Sequence, residues 1–142
     1  MPLLLCLVAL ASLSAMTLTE FVLARLERQA GQAAMARVQA RAAAEAAVTD
    51  AMQGWPAVAT PTSPGAEVQL VALDAPGPVR GFASLRSLGG PVYALHGKGV
   101  RTDRSGTAIG FAELELLVLL ELAGPDSVVR PRIYPRGWRI LP

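Results

Sequence analysis

The chain has 142 residues and a formal net charge of +2, and 52% of its residues are hydrophobic while only 5% are aromatic. This length predicts a single domain, and a mean hydropathy of +0.40 is too apolar for a purely soluble chain or for overall disorder. One Cys permits no internal disulfide, and one Cys with one His cannot supply the usual three or four zinc ligands. We therefore expect no metal site and no cofactor, and the small basic excess does not favour a nucleic-acid partner.

The amino-terminal segment is apolar over the length of a membrane span. Residues 1–19 carry no charged side chain, and after Glu20 the apolar character resumes up to Ala24. A helix of about 20 such residues crosses the hydrocarbon core of a bilayer. The sequence therefore predicts a transmembrane half-helix over residues 1–24.

Two other interpretations of this segment stay open. The small residues from Ser12 to Ser14 could precede a signal-peptidase cleavage point, and Cys6 could belong to a lipoprotein signal. No Lys or Arg precedes the apolar run, and helix-compatible sequence continues past the cleavage point, so the transmembrane helix is favoured. Arg25 and Arg28 alone would place the following chain in the cytoplasm, whereas a basic leader upstream of Met1 would reverse that orientation.

An amphipathic half-helix is predicted over residues 25–54. Ala, Arg, Glu, Gln, Met and Leu are strong helix formers and dominate this stretch, and Gly31 is its sole interior glycine. Gly54 and Pro56 are expected to end the helix. The apolar side chains that recur near helical spacing are Leu26, Ala30, Ala33, Val38, Ala42 and Met52.

Beyond a Pro/Thr/Ser linker over residues 55–66, the pattern changes to strand alternation in residues 67–142. Strands are predicted over 67–73, 79–88, 92–101 and 107–122, with one or two edge strands within 128–141. Residues 103–106 make the third and fourth strands a hairpin. The fourth strand is the clearest: its apolar face holds Ala112, Leu114, Leu116, Val118, Leu120 and Leu122, and its polar face holds Glu113, Glu115 and Glu121. We therefore expect an α+β fold, with the long helix packed on an antiparallel sheet of four to five strands.

Residues of the types that carry catalysis are isolated from one another in the sequence. His96 lies on a predicted strand without a metal-ligand partner, and Ser84 and Ser105 lack a nucleophile-elbow context. Gly97 and Gly99 flank a lysine in HGKGV, but the rest of a phosphate-binding loop and the helix that should follow it are not present. The sequence therefore predicts a protein that is not an enzyme.

The carboxyl-terminal stretch RPRIYPRGWRILP mixes basic and aromatic residues and contains no acid. Such a stretch could bind nucleic acid, anionic lipid or an acidic neighbour, or it could be an edge strand with solvated arginines and a packed tryptophan. Among the binding roles we favour contact with another subunit, whose Glu113, Glu115 and Glu121 would complement the charge. The residues predicted for this contact are Arg130, Arg132, Arg136 and Arg139.

An apolar helix that continues into an Ala-rich amphipathic half, followed by a linker and an antiparallel sheet, resembles the type IV pilin and pseudopilin architecture. The stretch RVQARAAAEAAVTDAM, residues 37–52, is similar to the R-x-x-A-x-x-A-A-E-A-A-L run of PilX-like minor pilins and type II secretion pseudopilins. The resemblance implies a structural subunit of a pilus or secretion filament. It also implies a single pass through the bacterial inner membrane, an extracytoplasmic sheet domain, and assembly with other pilin subunits and an assembly machinery.

Two departures from the pilin pattern refine this expectation. The basic leader ending in Gly is not part of the sequence, so we expect the sequence to begin inside the prepilin motif. No acid precedes Glu20 in the apolar run, whereas major pilins carry a Glu near its start; this favours a minor or tip subunit. The alternative is a single-pass anchored binding module without an assembly role. Helix-to-helix assembly is predicted to use Ala9, Ala11, Ser12, Ser14, Ala15 and Glu20.

The strand alternation yields a first test. Replacing Leu116 with Asp places a charge on the predicted buried face and should lower the free energy of unfolding by about 3 kcal/mol or more. Replacing the adjacent Glu115 with Asp should change it by about 0.5 kcal/mol or less. Denaturant melts of the full chain in detergent micelles compare the two, and equal effects would contradict the alternation.

Overall fold

The computed structural model describes residues 2–55, 63–73, 77–121 and 130–141. It contains one helix, α1 (Pro2–Gln53), and five strands: β1 (Glu67–Leu73), β2 (Val79–Gly89), β3 (Val92–Thr102), β4 (Ala108–Glu121) and β5 (Arg130–Leu141). The expected α+β fold is confirmed, with β5 forming one strand. Most of the predicted linker lies outside the described residues.

The chain divides into two compact units, Met1–Met35 and Ala36–Pro142. In the first unit the described residues are all helical, and each of them is exposed. The second unit contains the rest of α1 together with the whole sheet. All burial of the helix therefore occurs within the second unit.

The sheet is an antiparallel meander in which strand order follows chain order, from β1 at one edge to β5 at the other. Tight turns allow this order. Gly89 and Gly90 turn β2 into β3 with φ angles of 105° and 60°, a left-handed conformation that glycine adopts without strain. The predicted hairpin at residues 103–106 connects β3 to β4.

One face of the sheet, the helix side, carries the core. Leu85, Leu95 and Leu116 are register neighbours on β2, β3 and β4, and each is at most 1% exposed. Leu114 and Val118 extend this apolar row along β4, as the alternation predicted. The opposite face, called the outer face below, carries Glu113 and Glu115, which are half-buried.

The helix rests on the sheet through the smallest side chains available. Its buried residues follow a four-residue repeat with small adjustments, so they form one ridge along α1. Opposite this ridge, β2, β3 and β4 place glycines on the helix side, and a Cβ built on any of them would collide with the helix. The ridge consists of Ala36, Ala40, Ala44, Ala47, Val48 and Ala51, and the glycines, called the glycine track below, are Gly81, Gly97, Gly99 and Gly110.

The distances show how close the two backbones are. A Cβ at Gly81 would lie 2.5 Å from the carbonyl oxygen of Ala43, and one at Gly110 would lie 2.6 Å from the carbonyl oxygen of Ala36. A Cβ at Gly99 would overlap the carbonyl oxygen of Ala40. The colliding atoms are backbone atoms and not flexible side-chain ends, so the helix would have to move to accept any larger residue.

The predicted apolar stripe of α1 was placed on the wrong face at Val38 and Ala42, whereas its last member, Met52, is half-buried and packs against the core. Val38 is 65% exposed, and Ala42 is exposed as well, while the alanines at 36, 40 and 44 are buried. The prediction followed the helical spacing of apolar residues, and in an alanine-rich helix this spacing fits more than one face. The helix turns its alanines inward instead, because its backbone lies so close to the glycine track that little more than a methyl group fits at most positions; Val48, which lies against Gly97, is the larger residue of the ridge.

Larger side chains fill the region where the helix ends. Gly54 donates its backbone N–H to the carbonyl of Asp50 at 2.9 Å, and Trp55 follows directly, only 2% exposed. The Trp55 ring meets the ring of Tyr93 edge to face, with centroids 6.3 Å apart. This aromatic pair anchors the last turn of α1 to β3.

The glycine track generates a second test. Gly99→Ala should lower the free energy of unfolding by about 3 kcal/mol or more, because overpacking a site closed by backbone forces the helix away. Gly31→Ala is the matched control: a Cβ added at this position of α1 would have no atom within 4 Å. It should be neutral or stabilise the helix by up to about 1 kcal/mol. Denaturant melts followed by Trp fluorescence measure both, and a neutral Gly99→Ala would contradict the close packing.

Candidate functional site

The first compact unit is one candidate for an interaction site because its apolar side chains are uncovered. Leu3 is 78% exposed, Leu10 is 64% exposed and Phe21 is 68% exposed. Among the described residues α1 is the one helix long and apolar enough to cross a membrane by length and composition, although a signal sequence passes the same test. The predicted transmembrane segment therefore has the required length, hydropathy and exposure.

The hydroxyl groups of this segment are satisfied within the helix. Ser12 and Ser14 donate to the carbonyls of Val8 and Leu10 at 2.5 and 2.8 Å, and Thr19 donates to Ala15 at 2.6 Å. Back-bonding of this kind removes the cost of placing a hydroxyl in an apolar surrounding. Ser12 and Ser14 were predicted to matter only through their small size, and these hydrogen bonds add that their hydroxyls need no partner outside the helix.

The helix geometry brings together only part of the predicted assembly set. At about 3.6 residues per turn, Ala11, Ser14 and Ala15 fall on one side of α1. Ala9 falls nearly opposite Ala11, and Glu20 shares the side of Ala9. All of them are exposed, so Ala11, Ser14 and Ala15 form a small-residue face of which Ala9, Ser12 and Glu20 are not part.

A second candidate is the edge strand β5, where the sheet separates the mixed residues of the sequence onto two faces. Trp138 pairs with Leu116 and Ile140 pairs with Leu114, which places both on the helix side. Arg139 pairs with Glu115 and Arg132 pairs with Leu119, which places both on the outer face. In register Arg130 pairs with Glu121, and the side chains of Arg130, Arg136 and Glu121 lie outside the described part.

The acids proposed to receive a neighbouring chain's arginines have cations close by in their own chain. Glu113 accepts an ion-paired hydrogen bond from Lys98 at 2.8 Å. This bond, with the attraction of the Glu113 charge, raises the pKa of Lys98 above its ordinary value. Glu115 lies between His96 and Arg139 in register. The predicted contact of β5 with acids of another copy remains a prediction, and it would compete with these internal neighbours.

A bulge in β5 shapes the outer face. Leu116 pairs with Trp138 while Val118 pairs with Ile133, so Leu117 alone faces residues 134–137. The extra backbone borders an open pocket of about 270 Å³ lined by Val92, Leu117, Val118, Leu119 and Tyr134. This pocket, called the outer pocket below, is almost wholly apolar.

A shallower groove of about 400 Å³ lies on the helix side, lined by Arg41, Glu45, Leu114, Trp138 and Ile140. Its floor is the exposed apolar face of β5, where Trp138 is 51% exposed. Arg41 and Glu45, one turn apart on α1, form an ion pair of 2.9 Å along its wall. We call it the edge groove.

The residues that the sequence analysis weighed as catalytic or phosphate-binding candidates have structural roles in the sheet. Ser84 donates to Glu67 at 2.5 Å on the outer face, and His96 is half-buried between Ser84 and Glu115 in register. Gly97 and Gly99 belong to the glycine track, which explains their spacing in HGKGV. Among the residues that the structure describes, no three of His, Cys, Asp and Glu are grouped so as to hold a metal ion.

The β3–β4 turn is organised by one carboxylate. Asp103 accepts hydrogen bonds from the backbone N–H of Ser105 at 2.8 Å, from the Ser105 hydroxyl at 2.6 Å and from the backbone N–H of Thr107 at 2.9 Å. These donors, the Ser105 hydroxyl first, lower the pKa of Asp103 below its ordinary value. Ser105 is thus a turn residue, as expected.

Comparison of the chain with protein-family models, with curated proteins and with solved structures finds no match in any of the three.

The Asp103 turn should respond to acid. Because its pKa is lowered in the folded state, the turn is stabilised above the ordinary Asp pKa of about 3.9 and loses that stabilisation as pH falls through the lower folded value. We expect faster amide hydrogen exchange at Ser105 and Thr107 in Asp103→Asn at neutral pH than in the unaltered chain. The amides of the β2–β3 turn are the internal control, and unchanged exchange would contradict the capping role.

Proposed function

We propose that the chain is a structural subunit of a pilin-like filament, of the minor pilin or pseudopilin kind. Before assembly it would be held in the bacterial inner membrane by the first part of α1, with the sheet domain on the extracytoplasmic side. The observation that carries the proposal is that each described residue from 2 to 35 is exposed, although most are apolar in the first 24 positions.

The exposed apolar side chains of such a helix must be shielded from water, and the described part of the chain contains nothing that shields them. Lipid is one cover, and the helices of other copies are another. Between apolar helices in lipid there is no hydrophobic driving force, so association depends on close backbone approach at small residues. The face of Ala11, Ser14 and Ala15 meets that requirement, and its hydroxyl already has an acceptor in its own helix.

The second part of α1 supports the same proposal through its different chemistry. From Ala36 onward one face of the helix packs on the sheet of the same chain. In this contact, alanines of the helix lie directly against glycines of the strands. One continuous helix thus has a free apolar part and an internally packed part. That division is what a subunit needs if it assembles through its helix while its sheet domain remains folded.

The finer features of the proposal come from the sequence pattern. The lack of an acid before Glu20 favours a minor or tip subunit. The partners would be other subunits, the lipid bilayer and an assembly machinery. The role requires neither catalysis nor a cofactor, and nucleic acid is not among the proposed partners, since Trp138 and Arg139 lie on opposite faces of the sheet.

A single-pass anchored binding module is the second candidate, and the outer pocket favours it. An apolar pocket bordered by a strand bulge is a suitable place for a small ligand. This candidate requires no association between copies, and a test of association therefore separates the two.

Enlarging the small face should weaken association. We expect Ala11→Leu to lower the association constant of the full chain in lipid vesicles roughly 3- to 30-fold, which corresponds to about 0.6–2 kcal/mol of lost helix packing. Energy transfer between donor- and acceptor-labelled copies measures the association. Leu13→Met, a change of similar volume in the same segment, is the control. Copies that stay monomeric before any substitution would favour the anchored module.

A further inference from the structure

The end of the sheet that carries the β3–β4 turn has a surface that is both basic and apolar. Arg101 and Arg104 lie on either side of Asp103, and among the described residues neither arginine forms an ion pair. Ile109 and Phe111, at the start of β4, are 47% and 54% exposed. Large exposed apolar side chains that lie close together mark interaction sites. We call Arg101, Arg104, Ile109 and Phe111 the turn surface.

The strand pairing explains why the apolar part of this surface is uncovered. The register of β4 with β5 begins at Glu113, so Ile109 and Phe111 lie beyond the described pairing of these two strands. Arg101 pairs with Gly110 while Thr102 pairs with Ala108, which makes Ile109 the extra residue of a bulge.

The helix begins its contact with the sheet at this same end. Ala36 is the first buried residue of α1, and its backbone lies against Gly110 at the start of β4. Further along the helix, Val48 lies against Gly97, in the middle of β3. Within the second unit α1 therefore runs away from the β3–β4 turn, and the part of the chain that precedes Ala36 joins the unit at the end where the turn lies.

We propose that the turn surface binds the anionic headgroups of the bilayer in which α1 is anchored. The proposal rests on the membrane anchoring in the proposed function and adds a contact of the sheet domain with lipid. The arginine guanidinium groups would donate hydrogen bonds to lipid phosphates, and the two apolar side chains would enter the interfacial layer.

The covalent connection keeps lipid within reach of this surface. As part of α1, residues 25–35 separate the predicted transmembrane half-helix from Ala36 by roughly 17 Å, at 1.5 Å per residue. Ala36 is thus held within that distance of the hydrocarbon edge, whatever direction the helix takes. From Gly110 to Gly106 in the turn, the chain covers up to about 13 Å at the rise of a strand. A tether of this length gives a high effective concentration, so a weak contact is sufficient.

The unpaired charges at this end favour an anionic partner. Arg37, exposed next to Ala36, adds a third arginine to the two of the turn surface. Asp103 is the acid between those two, and its carboxylate accepts hydrogen bonds from the donors of its own turn. Each basic residue near an anionic membrane surface strengthens the attraction.

The other charges nearby balance in number. Lys98 and Glu113 form an ion pair at 2.8 Å. Arg80 on β2 is matched by Asp74 in the β1–β2 connection, which lies outside the described residues. The basic excess at this end therefore comes from Arg37 and the turn surface.

Fluorescence quenching tests the contact in the full chain, reconstituted in lipid vesicles at low protein density. In a Cys6→Ala background, Ala108→Cys carries an environment-sensitive fluorophore at the exposed start of β4. The vesicles contain phosphatidylcholine alone or with about 30% phosphatidylglycerol as the anionic lipid, and a small fraction of the lipid carries a nitroxide on its headgroup. We expect at least about threefold stronger quenching in the anionic vesicles, and a return toward the neutral value in about 0.5 M salt, which screens the attraction.

Leu88→Cys in the same background is the control position. Leu88 is 49% exposed and lies next to the β2–β3 turn, at the other end of the sheet. A fluorophore there should be quenched weakly in both kinds of vesicle.

Two charge variants identify the groups that bind. Arg101→Gln together with Arg104→Gln should reduce the quenching of the Ala108→Cys fluorophore in anionic vesicles to the level in neutral vesicles. Arg86→Gln together with Arg139→Gln removes the same charge from β2 and β5, away from the turn, and should leave the quenching unchanged.

The native Cys6 thiol, labelled in the otherwise unaltered chain, separates this inference from the anchoring. If a nitroxide in the acyl chains quenches the Cys6 label while the Ala108→Cys label is quenched no more than the Leu88→Cys label, the anchoring stands and the turn contact is overturned. Equal quenching of the Ala108→Cys label in neutral and anionic vesicles would also overturn it. If the Cys6 label is not quenched, the anchoring and the turn contact both fail.

Discussion

The close contact between the alanine ridge of α1 and the glycine track of the sheet is the constraint on which the rest of the second unit depends. Packing of this kind gains little area per residue, since neither alanine nor glycine buries a large side chain. What it provides is a close approach of the two backbones: the helix carbonyls lie so near the strand glycines that a Cβ on those glycines would collide with them. The helix is thereby restricted to one face and one position, and bulkier groups such as Trp55 and Tyr93 fill the space where the helix ends.

The same contact determines which surfaces remain for interaction. With the helix above β2, β3 and β4, the inward face of β5 has no cover among the described residues, and Trp138 is exposed there. The bulge at residues 134–137 then forms an apolar pocket on the other face of the same strand. The edge groove thus follows from the width of the sheet exceeding that of one helix, whereas the outer pocket follows from the bulge in β5.

The sheet also changes the meaning of the basic carboxyl-terminal stretch. In sequence its arginines and aromatic residues alternate in a way that suggests stacking on bases or insertion at a lipid headgroup layer. In the structure Trp138 and Ile140 point to one face and Arg132 and Arg139 to the other. Ion pairing within the chain, seen for Lys98 with Glu113, gives the outer face a mixed charge. A partner with a mixed surface, such as another copy, fits this arrangement better than a polyanion.

The sequence by itself determined the order and type of the elements, because these depend on local signals: an apolar run of membrane length, a change of period from helix to strand, and turns marked by Gly, Pro and Asp. It also determined the buried face of β4, since alternation over residues such as Leu114, Leu116 and Val118 allows only one inward face. Only the tertiary structure decided which face of α1 is buried. Helical spacing pointed to Val38, but the helix instead places Ala40 and Ala44 against Gly99 and Val48 against Gly97, and the space that they fill is created by strands distant in sequence. The edge groove and the outer pocket were beyond prediction for the same reason: each is assembled from residues whose proximity depends on strand register and on where one helix comes to rest.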